Sequence, residues 1–242
     1  MTGSRLDQAP EWLKTGKIVG IGRVPAGSNA TFAVAIDDGT TERLAIYKPV
    51  RGERRLWDFP DGTLYKREVA AYLTSEALGW GLVPPTVIRE GPYGIGSFQV
   101  YCEPDERHDF WRVRKRRRDD LFPIALFDII TNNADRKGEH CHLAADGKIW
   151  AIDNGLTFHT DFKNRTVLIE FVGDPIPASL LEDMEELATD PARRRELETS
   201  LRDLLAPDEI ACFFGRIEIV CRTGRMPRVI PHWELYYWAG EE

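Results

Sequence analysis

Cysteine is scarce and unpaired in this sequence. Cys102, Cys141, Cys212 and Cys221 are the four among 242 residues, and no two stand in a Cys-x-x-Cys pair. That spacing excludes a disulfide framework and points to reduced thiols in a cytoplasmic setting. Long apolar runs are missing too. No segment has the length and apolarity to cross a bilayer, and Met1 to Trp12 contains no apolar stretch of signal-peptide length. The expectation is therefore a cytoplasmic protein without a transmembrane segment. Positive charge is in deficit, with 32 Lys and Arg against 39 Asp and Glu and a net charge of -7, which argues against nucleic acid as a bulk partner. Repeats and low-complexity segments are absent. His140, Cys141 and His142 are crowded donors for zinc, but they lack the second spaced pair that zinc sites carry.

What is present fits a soluble globular chain of one domain or two small lobes, with 43% hydrophobic and 29% charged residues. The informative stretch runs from Leu126 to His159. An apolar run leads to Asn132-Asn133-Ala134-Asp135-Arg136, a polar loop holds Lys137 to His140, and two short apolar segments flank Asp146-Gly147 before Asp153-Asn154-Gly155. This layout puts Asp135 and Asp153 at the two mouths of one hairpin. Phosphoryl transfer needs such a pair, one carboxylate to orient an attacking hydroxyl and one to hold the metal that neutralises the transferring phosphate. A surface hairpin with a favoured Asp-Gly turn would read the same way.

The stretch resembles the catalytic loop and metal-binding turn of the phosphatidylinositol 3- and 4-kinase superfamily and of compact bacterial kinases related to it. Asn133-Ala134-Asp135-Arg136 matches an Asn-x-Asp-Arg core, and Ile152-Asp153-Asn154-Gly155 matches an Ile-Asp-x-Gly turn. The resemblance implies an α+β, bilobal kinase-like fold, with an antiparallel sheet plus one helix in the N-terminal lobe and a mostly helical C-terminal lobe. Two positions depart from the pattern. His140 stands where the family has a metal-binding Asn, and Lys137 stands where it has the His of Asp-Arg-His. Imidazole is itself a metal ligand.

Along the chain, Lys17 to Gly22 and Ala30 to Ile36 predict two strands. Between them lies a join containing Gly27, Ser28 and Asn29, small residues that let backbone amides approach phosphate oxygens. Arg43 to Pro49 predicts a third strand carrying Lys48, where kinase-like folds place the lysine that contacts the nucleotide's phosphates. Leu64 to Leu73, continuing to Gly79, reads as an amphipathic helix with Tyr65, Val69, Tyr72 and Leu73 on one face and Glu68 at its edge. The resemblance implies an ion pair between Lys48 and Glu68. Val83 to Arg89 reads as a strand entered through two prolines, and Ile95 to Glu103 as the last strand and hinge. That run contains Gly96-Ser97-Phe98-Gln99, close to the type II phosphatidylinositol 4-kinases, and the likeness implies that Gln99, Tyr101 and Cys102 lie where adenine is bound through the backbone.

Beyond the hinge, Arg112 to Arg118 is a basic run, either a solvated helix face or a site for an anionic partner. Leu121 to Thr131 predicts the helix that supports the catalytic loop. Thr166 to Phe171 reads as a strand, and Ala178 to Thr189, Pro191 to Leu205 and Pro207 to Arg222 as helices. The aromatic tail Trp233 to Trp238 reads as docked.

The reading is an ATP-binding lobe over residues 1–103 and a catalytic lobe over 104–242, moving the γ-phosphate of ATP to a hydroxyl with Mg2+ or Mn2+. Asp135 and Arg136 are the catalytic candidates, Arg136 either steadying the loop or meeting the transferred phosphate; Gly27, Ser28, Asn29, Lys48, Glu68, Gln99, Tyr101 and Cys102 are the nucleotide-binding ones, and Asp153 and His140 the metal ligands. Two rival readings are a nucleotide-binding pseudokinase scaffold and an adenylyltransferase on a kinase fold. The acceptor hydroxyl stays open among a lipid, an inositol-type small molecule, a sugar and a protein.

Overall fold

The computed structural model describes residues 6–25, 29–107 and 110–231. Gly27, Ser28 and the tail 233–238 lie outside the described residues. A short helix α1 (Glu11–Thr15) precedes strands β1 (Lys17–Val24), β2 (Thr31–Asp37) and β3 (Glu42–Pro49). Helix α2 (Leu64–Ala77) follows, then β4 (Thr86–Gly91) and β5 (Gly94–Val100). The five strands form one antiparallel sheet in the order β1-β2-β3-β5-β4. Alternation in β2 and β3 turns Val34, Ile36, Ala45 and Tyr47 into the core. The register sets Lys48 opposite Ser97 and Pro49 opposite Gly96. A Cβ on Gly96 would stand 2.4 Å from the Lys48 carbonyl oxygen, so only glycine lets β5 come this close beside the lysine.

Two expectations need correction here. β4 begins at Thr86 rather than Val83, because Pro84 and Pro85 have no N–H to give a ladder; the Pro85 carbonyl instead accepts the Val100 N–H at 2.9 Å. Helix α2 is not one-faced, since every residue but Lys66 and Glu76 is buried. The sheet covers one side of α2 and later helices cover the other, as expected of a helix enclosed all round.

The C-terminal part is mostly helical. It contains α3 (Phe110–Arg116), α4 (Arg118–Thr131), the hairpin β6 (Cys141–Leu143) and β7 (Ile149–Ala151), then β8 (Arg165–Thr166), α5 (Ala178–Thr189), α6 (Pro191–Leu201), α7 (Pro207–Thr223) and β9 (Ile230–Pro231). Helix α4 buries Leu121, Ile124, Leu126, Phe127, Ile129 and Ile130, and ends where Asn132 takes a left-handed conformation with φ 56°. The strand expected over Thr166 to Phe171 is only two residues of β8 followed by a 3-10 turn at Ile169–Phe171. The Thr166 hydroxyl accepts the Leu168 N–H at 2.9 Å and draws the backbone away from a ladder, while Phe171 packs edge-on to Phe122. Helix α6 stops at Leu201, four residues short of the expected end. One hydrophobic core runs continuously from the sheet through α2 and α4 to α5, α6 and α7. Among the described residues no helix is long and apolar enough to cross a membrane.

Candidate active site

Between the sheet and the segment 135–156 lies a cavity of about 390 Å³. Its walls include Asn29, Lys48, Glu68, Gln99, Tyr101, Cys102, Asp135, Lys137, His140 and Asp153. The structure thus brings together every expected site residue that it describes except Arg136.

Lys48, at the inner end of β3, is the centre of the cluster. Its ammonium is paired with Glu68 of α2 and donates to Asp153 Oδ1 at 2.8 Å. Burial would lower the lysine's pKa, but the two carboxylates more than offset it and raise it, so the side chain stays charged. The second Glu68 oxygen accepts the Asn154 N–H at 3.0 Å, which ties helix α2 to the turn that carries Asp153. Asp153 itself has φ 57°, a conformation a non-glycine residue adopts only when its surroundings hold it. The neighbouring Lys48 charge holds its carboxyl well below the usual carboxylate range.

Asp135 sits across the cleft on the loop after α4. Its N–H donates to Asn133 Oδ1 at 2.9 Å, and its carboxylate is 3.0 Å from the Lys137 ammonium. Lys137 was noted from sequence only as a departure from Asp-Arg-His. The structure sets it in the cleft beside Asp135, and the spacing Asp-x-Lys is the signal that would have found it.

Of the two roles open to Arg136, the geometry favours steadying the loop. It is fully buried, and all five of its N–H groups have acceptors. Nε and Nη2 bond Asp128 at 2.9 and 2.8 Å, Nη2 also bonds Asn154 Oδ1 at 2.7 Å, and Nη1 bonds the Ile152 and His140 carbonyls at 2.7 and 3.3 Å. Burial alone would lower its pKa, yet the Asp128 carboxylate raises it. The guanidinium therefore meets no phosphate; it is a positioning residue that locks the Asp135 loop to the Asp153 turn. Asn154, the variable position of the Asp-x-Gly turn, was not singled out from sequence and proves to be the joint between Arg136 and Glu68.

His140 Nε2 lies 3.2 Å from Asp153 Oδ2, and Nδ1 lies 3.0 Å from the Asp135 carbonyl. Burial lowers the imidazole's pKa, opposed by Asp153, and so favours the neutral ring. Nδ1 also accepts the Lys137 N–H at 3.4 Å, so with the proton on Nε2 the ring donates to Asp153 and both nitrogens have partners. With the proton on Nδ1, donated to the Asp135 carbonyl, Nε2 and Asp153 Oδ2 are a nitrogen and an oxygen donor 3.2 Å apart, a pair whose chemistry fits a divalent metal. Among the described residues no group of three or more His, Cys, Asp or Glu could hold a metal by itself. The zinc alternative fails, because His142 Nε2 contacts the Cys102 carbonyl at 2.8 Å and Cys141 is buried with its thiol pushed up to about 12.

At the far end of the cleft, the Val100 N–H donates to Pro85 and the Tyr101 N–H to Leu44. Among the described residues the Cys102 N–H has no backbone acceptor. The Gln99 side-chain amide is taken up by Thr86 Oγ1 at 2.9 Å, and burial pushes the Cys102 thiol up to about 11.

At least half of the six cations in the basic run are paired within the molecule. Arg114 forms a two-pronged pair with Glu170, Arg117 pairs with Asp120, and Arg118 pairs with Asp174. Three of its cations thus have carboxylate partners already, which favours the solvated helix face of the two readings.

No protein-family model matches the chain. In sequence it is 36% identical over 250 residues to Protein Rv2133c of Mycobacterium tuberculosis (strain ATCC 25618 / H37Rv), covering 89% of this chain and 89% of that protein. In structure it is similar to hydra Fam20, solved with sugar, at a TM-score of 0.57 and 14% identity, covering 87% of this chain and 85% of that one. It is also similar to the Helicobacter pylori proinflammatory kinase CtkA, at a TM-score of 0.52 and 10% identity, covering 87% and 93%. At such identities the likeness is one of fold. The architecture is a kinase-like α+β fold.

Proposed function

The chain belongs to the family of Protein Rv2133c, and from the geometry of its kinase-like cleft we propose that it is an ATP-dependent phosphotransferase that moves the γ-phosphate to a hydroxyl. The observation that carries this reading is the Lys48 ammonium held between Glu68 and Asp153, with Asp135 and Lys137 across the cleft. We place the division between a nucleotide-binding lobe and a catalytic lobe near Glu103.

In this reading adenine lies against the hinge, its ring edge meeting the Cys102 N–H and the Val100 carbonyl. Tyr101 lines the same end of the cleft, and the motif likeness to type II phosphatidylinositol 4-kinases supports this orientation. Asn29 lines the phosphate end of the cleft. Lys48 bonds phosphate oxygens and is kept there by Glu68, which Asn154 orients in turn. Mg2+ or Mn2+ held by Asp153 and His140 would supply positive charge where the phosphate oxygens gather negative charge.

Asp135 accepts a hydrogen bond from the acceptor hydroxyl and takes its proton. The hydroxyl oxygen forms a bond to the γ-phosphorus, while the bond from that phosphorus to the bridging oxygen breaks and ADP leaves with the electron pair. Lys137, beside Asp135, meets the charge on the transferred group. Arg136 touches none of these atoms and acts by holding both loops in register.

The test is ADP formation from magnesium- or manganese-ATP with a mixture of hydroxyl acceptors, comparing wild type with Asp135→Ala. The reading expects turnover in the wild type and its loss in the variant, with nucleotide affinity preserved. Equal turnover in both removes Asp135 from the chemistry, and a wild type that binds no nucleotide overturns the reading as a whole.

A further inference from the structure

The connection from β3 to α2, residues 50–63, is longer than most strand-to-helix connections, and such segments commonly carry function. Here it is folded down onto the cleft. Leu56 and Phe59 pack with Leu64, Ala134 and Leu156, so the segment rests on the residues beside Asp135 and Gly155. The Gly52 carbonyl accepts the Ala30 N–H at 3.0 Å, and the Arg54 N–H donates to Asn29 Oδ1 at 2.8 Å. These bonds fasten the segment to the join between β1 and β2. On the other side Asp58 pairs with Lys163 at 2.9 Å.

Anchored at these points, the segment borders a second, half-open cavity of about 260 Å³. Its polar lining is Arg51, Glu53, Arg54, Arg55 and Asp61 over an apolar floor. Glu53 and Leu64 line both this cavity and the cleft, so the two adjoin. Arg55 is 3.3 Å from Asp61, and both are well exposed. Among the described residues the side chains of Arg51 and Arg54 have no carboxylate partner. Glu53 Oε1 accepts the Tyr65 N–H at 2.8 Å at the start of α2, whereas Glu53 Oε2 is buried with no hydrogen-bond partner. A buried carboxylate oxygen without a donor calls for an explanation, and a ligand hydroxyl is one. The nucleotide and metal use neither Glu53 nor these arginines.

We propose that this second cavity is the acceptor subsite and that it takes a small, soluble hydroxy compound already carrying an oxyanion. The oxyanion lies on Arg51 and Arg54, where guanidinium donors match its geometry. One hydroxyl donates to Glu53 Oε2, which is covered as it stands and turns toward the cavity as the ligand enters. A second hydroxyl reaches Asp135, loses its proton there, and forms the bond to the γ-phosphorus as ADP departs. The inference rests on the phosphotransfer reading above and adds the class of substrate. A half-open volume of about 260 Å³ suits a molecule the size of a triose or tetrose phosphate better than a polypeptide.

The experiment uses the full chain loaded with magnesium and a non-hydrolysable ATP analogue, titrated with inorganic phosphate and with glycerol 3-phosphate by calorimetry. Both should bind, glycerol 3-phosphate the more tightly. In Arg51→Gln/Arg54→Gln both should weaken about tenfold or more, as expected for two lost charge-assisted contacts, with the affinity for the analogue preserved. In Glu53→Gln, which keeps Oε1 as the acceptor for Tyr65, the advantage of glycerol 3-phosphate over phosphate should vanish.

Unchanged phosphate binding in the double variant overturns the subsite. Loss of analogue affinity in step with phosphate shows that the arginines serve ATP itself, and also overturns it. Phosphatidylinositol vesicles that displace phosphate while glycerol 3-phosphate does not would overturn the soluble acceptor in favour of a lipid one. Failure of the wild type to bind the analogue at all sinks the phosphotransfer reading, so the two failures are told apart.

Discussion

Arg136→Lys tests the network that sets Asp135 and Asp153 in register. The wild-type guanidinium uses five N–H groups on Asp128, Asn154, Ile152 and His140, all within a fully buried setting. Lysine keeps the charge and can reach Asp128, but its three donors diverge from one nitrogen and cannot also serve Asn154 Oδ1 and the Ile152 carbonyl. Each buried acceptor left without a donor costs about 1–3 kcal/mol, so two of them predict a loss of about 2–6 kcal/mol. Arg136→Met would leave Asp128 as a buried charge without its partner, at about 3–5 kcal/mol. Losses of this size are a large share of a total stability of about 5–15 kcal/mol.

Urea unfolding of the two variants measures both losses, and a double-mutant cycle with Asn154→Ala should give a coupling of about 1 kcal/mol or more between residues 136 and 154. The lysine variant should also weaken metal-nucleotide binding, since Ile152 and Asn154 flank Asp153. A variant within about 0.5 kcal/mol of wild type, the range of neutral surface changes, would refute the reasoning.

Lys48→Met should abolish turnover and also destabilise the fold by about 1–3 kcal/mol, because it strands the buried Glu68 carboxylate next to Asp153. Lys48 holds the Asp153 pKa down, so that part of the stability is present above the ordinary carboxylate range and lost as pH falls below it. The gap in stability between wild type and Lys48→Met should thus be widest near neutrality and shrink below about pH 4, where the unfolded carboxylate titrates; a gap that widens in acid contradicts this. His140→Asn should lower the ratio of manganese- to magnesium-supported turnover, since oxygen replaces nitrogen in the coordination set; an unchanged ratio in both the Asn and Ala variants removes the imidazole from the metal. In the basic run, Arg114→Gln should cost about 1 kcal/mol through its half-buried pair with Glu170, while Arg116→Gln should be nearly silent, as thermal melts would record.

The order of elements from β1 to the Asp153 turn was legible because each carries its own local signal. Alternating apolar residues mark β2 and β3, a lysine ends β3, helical spacing marks α2, and an Asp-Gly turn joins β6 and β7. What the sequence hid was decided by residues far away along the chain. Arg118 in the basic run is matched by Asp174, and Arg67 on α2 by Glu209 on α7, and no local pattern announces such pairs. The same limit made α2 look one-faced, since its outer cover comes from helices more than a hundred residues later. Arg136 was ambiguous for a different reason. An arginine beside a catalytic carboxylate can face the phosphate or the core, and only the burial of Asp128 on α4 decides. The apolar run after Thr166 could equally be a buried strand or a buried turn, since both hide apolar side chains.

The central claim is that the γ-phosphate is what moves. Wild type and Asp135→Asn are incubated with metal and ATP labelled in either the α- or the γ-phosphate, and the labelled products are separated. The account predicts that wild type releases the γ-label from ATP and leaves the α-label in ADP, and that Asp135→Asn does neither at a measurable rate. Transfer of the α-label with release of pyrophosphate would mean that the nucleotide itself is transferred, and bound but unconsumed ATP in the wild type would mean a scaffold; either result contradicts the account.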